Sequence, residues 1–177
     1  MPEVFLRRLS RWQAEQQREA VADLYVEAHR DHDGTEYNDR RAFLRRFEHD
    51  VQQTDFDMVV ADASGLVGCL YGYRAERGGV WWQALRGVLS PGIEERTASG
   101  RVFLLGGLMV APGERAPDVA SRLRTLLLTR HTSEVVVAVV QRDDDRGREV
   151  LEAWDWTKLG EFEPEREGWL RPPSPLP

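Results

Sequence analysis

The stretch VFLLGGLMVAP, residues 102–112, decides how this chain folds. Its first nine residues are almost continuously apolar, which is typical of a strand buried on both faces of a sheet. Residues 111–116 end that strand, and Pro117 suits the first turn of a helix whose apolar residues recur at helical spacing. A second apolar run follows at residues 134–140. Strand, helix and strand at this spacing predict a βαβ unit with two parallel strands and a right-handed crossover.

The residues before this unit predict a short strand, two helices and an antiparallel hairpin. Residues 4–9 form the strand, and residues 13–29 carry apolar side chains at helical spacing. Asn38 is a suitable N-cap for a second helix of about 13 residues. From Phe56 onwards the apolar residues recur at every second position, and residues 62–65 are of types that favour a turn. This change of period predicts the hairpin.

The second hairpin strand, residues 66–74, has two different faces, because side chains alternate along a strand. Gly68 and Gly72 leave one of these faces with little side-chain bulk, and we call it the thin face. Residues 78–100 then form a long connection that contains a Ser90-Pro91-Gly92 turn. Loops of this length in compact domains are usually functional or ordered by their own packing.

The residues after the βαβ unit complete the sheet. Residues 146–154 can form a short helix, and residues 156–162 return to alternation as a strand. The chain has 177 residues, of which 41% are hydrophobic, and this fits one domain over residues 1–171. Residues 172–177 are rich in proline and form an extended tail.

Composition and charge narrow the range of functions. The net charge of −6 and the pI of about 5.3 oppose binding to nucleic acid, which needs a basic face. The longest strongly apolar run, Val135–Val140, is far shorter than the roughly 20 residues of a membrane helix. The single cysteine, Cys69, excludes an internal disulfide and is expected to be a small core residue. No apolar export signal precedes the first strand, so we expect a cytoplasmic protein.

Three segments, taken in order, resemble the GNAT family of acyl-CoA-dependent N-acetyltransferases. They are LVGCLYGY at residues 66–73, LMVAP at 108–112 and EAWDWTKLGE at 152–161. In that family they correspond to a hairpin strand, the fourth strand and the approach to the last strands. The resemblance implies an α/β fold with a mixed, mostly antiparallel sheet of six or seven strands, flanked by about four helices. It also implies that strands 4 and 5 are parallel and splayed.

The same resemblance implies acetyl-CoA or another acyl-CoA as co-substrate. The family's fourth strand lends backbone groups to the pantetheine arm, and here that strand carries Leu108, Met109 and Val110. A loop at the N-terminus of the next helix holds the pyrophosphate, because N–H groups and the positive end of the helix dipole attract phosphate oxygens. The corresponding positions are Arg115, Ala116, Asp118, Val119, Ala120 and Ser121.

This phosphate loop departs from the family pattern. Asp118 stands where the family has glycine, and Pro117 removes one N–H donor. At an effective dielectric near 20, two like charges about 4 Å apart repel by roughly 4 kcal/mol, more than one phosphate hydrogen bond returns. Two interpretations stay open. One is a damaged phosphate site, and the other is a Pro-initiated helix whose Asp118 simply favours the dipole.

The positions of general acids and bases in the family are also changed. Leu104 and Gly107 stand where close relatives have glutamates, and Leu151 replaces the tyrosine that protonates the CoA thiolate. Such groups contribute roughly 100- to 10,000-fold each, so their loss slows acyl transfer but need not abolish it. The remaining candidates are Asp144 as a base and Tyr73 as a group that positions the acceptor. The alternatives are a helix-dipole partner for Asp144 and plain packing for Tyr73.

Candidate contacts to the acceptor lie in two connections. Glu36 and Tyr37 follow the first helix, where GNAT-like proteins border the acceptor pocket. Trp81 and Trp82 either wall that pocket or cover the sheet edge. The polar stretch at residues 29–33 contains two histidines and two aspartates, but a polar loop supplies such residues by chance. We therefore expect no metal.

Two functions are consistent with these residues. The first is acyl-CoA-dependent acyl transfer, at reduced efficiency, to the amine of a small molecule or peptide. The second is a catalytically inactive GNAT-like module that binds another ligand or a protein. Neither nucleic acid nor a membrane is expected as a partner. A homodimer through sheet edges, the acceptor's identity and the acyl chain length stay open.

Overall fold

The computed structural model of the chain describes residues 3–29, 36–75, 87, 89–99, 101–113, 115–162 and 166–172. These residues contain seven strands and six helices. In chain order they are β1 (Phe5–Leu9), α1 (Arg11–Gln16), α2 (Arg18–Ala28), α3 (Glu36–Val51), β2 (Asp57–Asp62), β3 (Leu66–Arg74), α4 (Pro91–Ser99), β4 (Val102–Val110), α5 (Ala116–Leu128), β5 (Val135–Gln141), α6 (Asp145–Ala153), β6 (Thr157–Phe162) and β7 (Arg166–Leu170).

All seven strands form one mixed sheet in the order β1-β2-β3-β4-β5-β7-β6. Only β4 and β5 are parallel among these paired strands, and α5 connects them as the predicted βαβ crossover. The other neighbouring pairs are antiparallel. The predicted fold class is therefore confirmed.

Strands β4 and β5 pair only over their first halves. The parallel pairing begins at Val102 and ends at Leu105. Directly after it, the register of β4 with β3 shifts by one residue, which makes Gly106 a β-bulge that bends the strand. A Cβ atom at Gly106 would lie 2.9 Å from the Tyr71 ring, and one at Gly107 would lie 2.7 Å from it. The two glycines thus allow this ring to pack against the bulge, where the strands diverge.

Apolar layers cover both faces of the sheet. Helices α2 and α3 pack on one face, where Phe43 and Phe47 join the same core cluster as Tyr71. Helix α5 covers the other face through Leu123 and Leu127. Since side chains alternate along β3, its two faces contact these two different helix layers.

Gly68 in β3 lies where α5 packs directly on the thin face of the strand. A Cβ atom at Gly68 would lie 2.9 Å from Val119 Cγ1 and 3.0 Å from Leu123 Cδ1. The glycine therefore sets how near α5 packs, which agrees with the thin face predicted for this strand.

The N-terminal helical region differs from its prediction. The helix expected over residues 13–29 is two helices, because Gln17 adopts φ −93° and ψ 4° and separates α1 from α2. Helix α1 begins earlier than expected, since Ser10 and Gln13 form a capping box. Helix α3 begins at Glu36, so Asn38 lies inside the helix and is not its N-cap.

Helix α4 was not predicted from the sequence. It occupies part of the connection in which a turn was expected at residues 90–92. Pro91 begins the helix, and the N–H of Glu94 donates to the carbonyl of Ser90 at 2.8 Å. Leu89, which precedes the helix, is buried in a core cluster with strand residues, and Ile93 of the helix packs against that cluster. The helix therefore depends on a starting proline and few apolar contacts.

Two predicted features lie outside the described residues. They are Trp81 and Trp82, and the last five residues of the tail, 173–177. Within the part of the chain that is described, no helix combines the length and apolar character that crossing a membrane requires.

Candidate active site

A cavity of about 590 Å³ opens where β4 and β5 diverge. Its walls come from the bulge and second half of β4, from the second half of β5, and from α3, α6 and the end of α2. Residues 106–109 and 138–141 face it from the two strands. Past Leu105 no β4–β5 pairing is formed by these described residues, so backbone edges border the cavity.

The strand residues predicted to hold the pantetheine arm lie partly in this cavity. Leu108 and Met109 line it, whereas Val110 packs with the core cluster beneath α5. Leu104, Gly107 and Leu151 also line the cavity. These are the three positions where the resemblance places acid and base groups, and none of these side chains titrates.

The predicted phosphate loop lies outside the lining of this cavity. Arg115 and Asp118 are exposed at the start of α5, while Val119 and Ala120 are buried in the core. The N–H of Ala116 donates to the carbonyl of Gly113 at 3.2 Å, and Pro117 has no N–H. Two donors at this helix terminus are therefore not available to an anion. Ser121 lies one turn further along and is half-buried.

A buried carboxylate, Asp50 of α3, lines the cavity and is only 4% exposed. The hydroxyl of Tyr71 donates to Asp50 Oδ2 at 2.9 Å. His49 Nδ1 lies 3.5 Å from Asp50 Oδ1. Burial raises the pKa of Asp50, although the hydrogen bonds from Tyr71 and His49 and the charge of Arg46 partly offset that rise. A carboxyl group of this kind binds a proton more readily than an exposed one.

Tyr73, a predicted site residue, lines the same cavity beside this carboxylate. Burial raises the pKa of Tyr73, and the negative charge of Asp50 raises it further. Its phenol therefore stays neutral at physiological pH and can donate or accept a hydrogen bond. Tyr71 is fully buried in the core instead, and its role is to hold Asp50.

Asp144, the predicted base, also lines the cavity, but it is held by other groups. It is the N-cap of α6, and its Oδ1 accepts from the N–H of Gly147 at 2.9 Å. Its Oδ2 lies 3.8 Å from His29 Nε2. Burial opposes the charge of Asp144, but the hydrogen bonds with His29 and Gly147 outweigh burial and lower the pKa. Asp144 is thus a weaker proton acceptor than Asp50.

His29, at the end of α2, completes this second charged group. Its Nδ1 lies 2.8 Å from the carbonyl oxygen of Tyr25, whose ring centroid is 4.3 Å from the imidazole. Burial works against the charged form, but the contacts with Asp144 and the Tyr25 carbonyl prevail, so the pKa of His29 is raised. The cavity lining thus contains two charged groups, one around Asp50 and one formed by His29 and Asp144.

The remaining predicted site residues cannot be placed in the cavity in the same way. Glu36 and Tyr37 form the first turn of α3, but their side chains are not among those described, and Trp81 and Trp82 lie outside the described residues. Within the described ranges no group of three His, Cys, Asp or Glu side chains could hold a metal ion. Cys69 is fully buried, and burial raises the pKa of its thiol, so the thiol is not a ready nucleophile.

The sequence prediction missed Asp50 because it used only the apolar residues of α3. Phe43, Phe47 and Val51 are spaced by four residues along the buried side of the helix. Asp50 is three residues after Phe47 and so falls on that same side. A carboxylate on the buried stripe of a helix was the available signal.

Several solved structures with a similar fold are named as acetyltransferases. The aminoglycoside 6′-acetyltransferase type Ii superposes with a TM-score of 0.63 at 15% identity, covering 98% of this chain and 99% of that one. A protein assigned to the GNAT family from Desulfovibrio desulfuricans gives 0.59 at 12%, covering 95% and 96%. The PaiA N-acetyltransferase from Thermoplasma acidophilum, solved with coenzyme A, gives 0.57 at 11%, covering 96% and 98%. At these identities the likeness is one of fold. No family model and no curated protein matches the sequence.

Proposed function

From the GNAT fold that this chain has, we propose that it is an acyl-CoA-dependent N-acyltransferase acting on the amine of a small molecule or peptide. The observation that carries the proposal is the cavity between the diverging halves of β4 and β5. It combines backbone edges that suit an extended amide-containing chain with ionisable side chains that suit a polar acceptor.

The backbone of residues 106–109 and 139–141 would hold the pantetheine arm, whose amides need hydrogen-bond partners when they leave water. A bound acyl-CoA supplies an activated thioester carbonyl. The start of α5, with Arg115 and Ser121, remains our candidate for the pyrophosphate. Its exposed Asp118 and its Pro117 weaken that contact, so we expect modest affinity for CoA.

The acceptor would enter from the side of α2, α3 and α6. Four aspartates line the cavity, and they suit a cationic amine: Asp39, Asp50, Asp143 and Asp144. Tyr25 and Phe43 add aromatic surface on the same side. The similar fold of aminoglycoside 6′-acetyltransferase and of PaiA N-acetyltransferase supports an amine acceptor of this general kind.

The inactive-module alternative rested on the missing acid and base groups at Leu104, Gly107 and Leu151 and on Asp118 in the phosphate loop. It is not favoured, since the cavity is open to a ligand and carries a buried carboxylate from another element. Proximity and orientation in such a site support direct attack of an amine on a thioester.

Acetyl-CoA binding tests the proposed function. Free acetyl-CoA at about 100 times its dissociation constant should stabilise the protein by roughly 2.7 kcal/mol, which raises the melting temperature by several degrees. The variant Val139→Trp fills the strand gap and should lose this shift. Arg130→Trp, at an exposed position after α5, is the matched control and should keep it. No shift with the natural protein at millimolar acetyl-CoA contradicts the proposal.

A further inference from the structure

The cavity contains a buried carboxylate that does not come from the positions where the resemblance places acid and base groups. Leu104, Gly107 and Leu151 line it without a titratable side chain. Asp50, which comes from α3 and not from the fourth strand, is a buried carboxylate in the same lining. Chemistry that the resemblance would place on β4 is therefore available from the helix layer.

The two oxygens of Asp50 have different partners. Oδ2 accepts from the hydroxyl of Tyr71, which is itself buried and fixed in the core. Oδ1 lies 3.5 Å from His49 Nδ1. His49 also lines the cavity, yet its side chain is 72% exposed to solvent. The carboxylate is thus held on one side and connected to water on the other.

Charged and titratable groups face Asp50 from two neighbouring elements. Arg46 and His49 come from its own helix, and Tyr71 and Tyr73 from β3. Arg166 of β7 acts on the same cluster through Tyr73. Burial raises the pKa of Asp50, so its carboxylate accepts a proton more readily than that of an exposed aspartate.

We propose that Asp50 accepts the proton of the acceptor's ammonium group in the cavity and that His49 passes this proton to solvent. The inference rests on the proposed function and names its general base. Asp50 would be a catalytic residue, since it contacts the reacting amine, and Tyr71 would be a positioning residue.

The step balances without any further reactant. The ammonium R–NH₃⁺ gives one proton to the Asp50 carboxylate and becomes R–NH₂. The nitrogen lone pair forms the C–N bond at the thioester carbonyl, and the C–S bond breaks to release the CoA thiolate. The second nitrogen proton goes to that thiolate, and the proton on Asp50 leaves through His49 to water.

Two small amines separate this role from a structural one. Ethylamine is an ammonium ion at neutral pH, whereas 2,2,2-trifluoroethylamine of similar size is already neutral. With acetyl-CoA in excess, Asp50→Asn should lower kcat/KM for ethylamine by about 100-fold or more and change that for trifluoroethylamine little. Glu48→Gln, at an exposed carboxylate of the same helix, is the control and should leave both rates unchanged.

His49→Gln tests the proton exit at an exposed position where the fold is not at risk. It should slow transfer to ethylamine, and imidazole buffer should restore the rate. A carboxyl NMR titration of the unliganded protein is a second measurement. The carboxyl signal that is absent in Asp50→Asn should titrate at a higher pH than the signals of the exposed aspartates.

Three results would overturn the inference. They are equal losses for both amines in Asp50→Asn, no loss for either, and acetyl-CoA binding by the natural protein without transfer to ethylamine. Failure of the proposed function looks different, because the natural protein then shows no melting shift with acetyl-CoA.

Discussion

Exchanging His131 for glutamine tests how the sheet and the α5 layer are joined at a residue that does not line the cavity. His131 is only 7% exposed, and its ring stacks on Phe103 with centroids 3.8 Å apart. Nε2 lies 2.9 Å from Asp57 Oδ2, and Nδ1 lies 3.0 Å from Glu134 Oε1. Arg8 also pairs with Asp57. The imidazole therefore bridges two carboxylates when both of its nitrogens carry protons.

The charged form of His131 should stabilise the fold in a pH-dependent way. Burial works against that form, but the hydrogen bonds to Asp57 and Glu134 and their charges outweigh it, so the pKa of His131 is raised above 6.5. The stabilisation is complete below pH 6.5 and is lost as the pH rises through the raised value. Hydrogen bonds to charged groups contribute about 1.5 to 3 kcal/mol each to stability. An uncharged glutamine side chain can replace only part of this contribution.

We expect His131→Gln to cost about 2 to 4 kcal/mol near pH 5.5, which lowers the melting temperature by roughly 5 to 15 °C. Near pH 8.5, about two units above the ordinary histidine pKa, the loss should be clearly smaller. Thermal denaturation followed by circular dichroism at both pH values measures this difference. Arg130→Gln, at an exposed cation after α5, is the control for the loss of a positive charge at the surface. An equal loss at both pH values, or a larger loss at the higher one, refutes the reasoning.

Two further substitutions test packing and the phosphate loop. Gly68→Val places methyl groups against Val119 of α5 and should cost about 1 to 3 kcal/mol in urea unfolding, whereas Gly92→Ala, with open space around it, should not destabilise. Equal effects of these two changes would contradict the packing described for α5. Asp118→Gly removes an exposed negative charge from the start of α5 and should tighten acetyl-CoA binding about fivefold at low salt. Calorimetric titration measures that change, and unchanged affinity would mean that the pyrophosphate binds elsewhere.

The main features of the fold follow from local patterns in the sequence. The two apolar runs around the Pro117 helix predict parallel neighbours, and the hairpin before them predicts antiparallel ones, as observed. The break at Gln17 and helix α4 were missed for the same physical reason. The spacing of apolar residues does not show where the backbone departs from helical φ and ψ angles, as it does at Gln17. That spacing is also weak in a helix such as Pro91–Ser99, which buries few side chains.

The candidate site could be predicted only in part, because it is built from elements that are distant in sequence. Tyr73, Asp144, Leu108 and Met109 were expected at the site from the resemblance, and all four line the cavity. Asp50 was missed, since its role depends on how α3 packs across β3. No local sequence pattern predicts a hydrogen bond between a carboxylate on a helix and a tyrosine on a strand 21 residues away in the chain.

Amide NMR of the isotopically labelled protein during an acetyl-CoA titration tests the central claim most directly. The account predicts that the largest shifts fall on residues 106–109 and 139–141, the backbone edges of the gap between β4 and β5. Saturable shifts confined to other parts of the sheet, or unchanged spectra at millimolar acetyl-CoA, would contradict it.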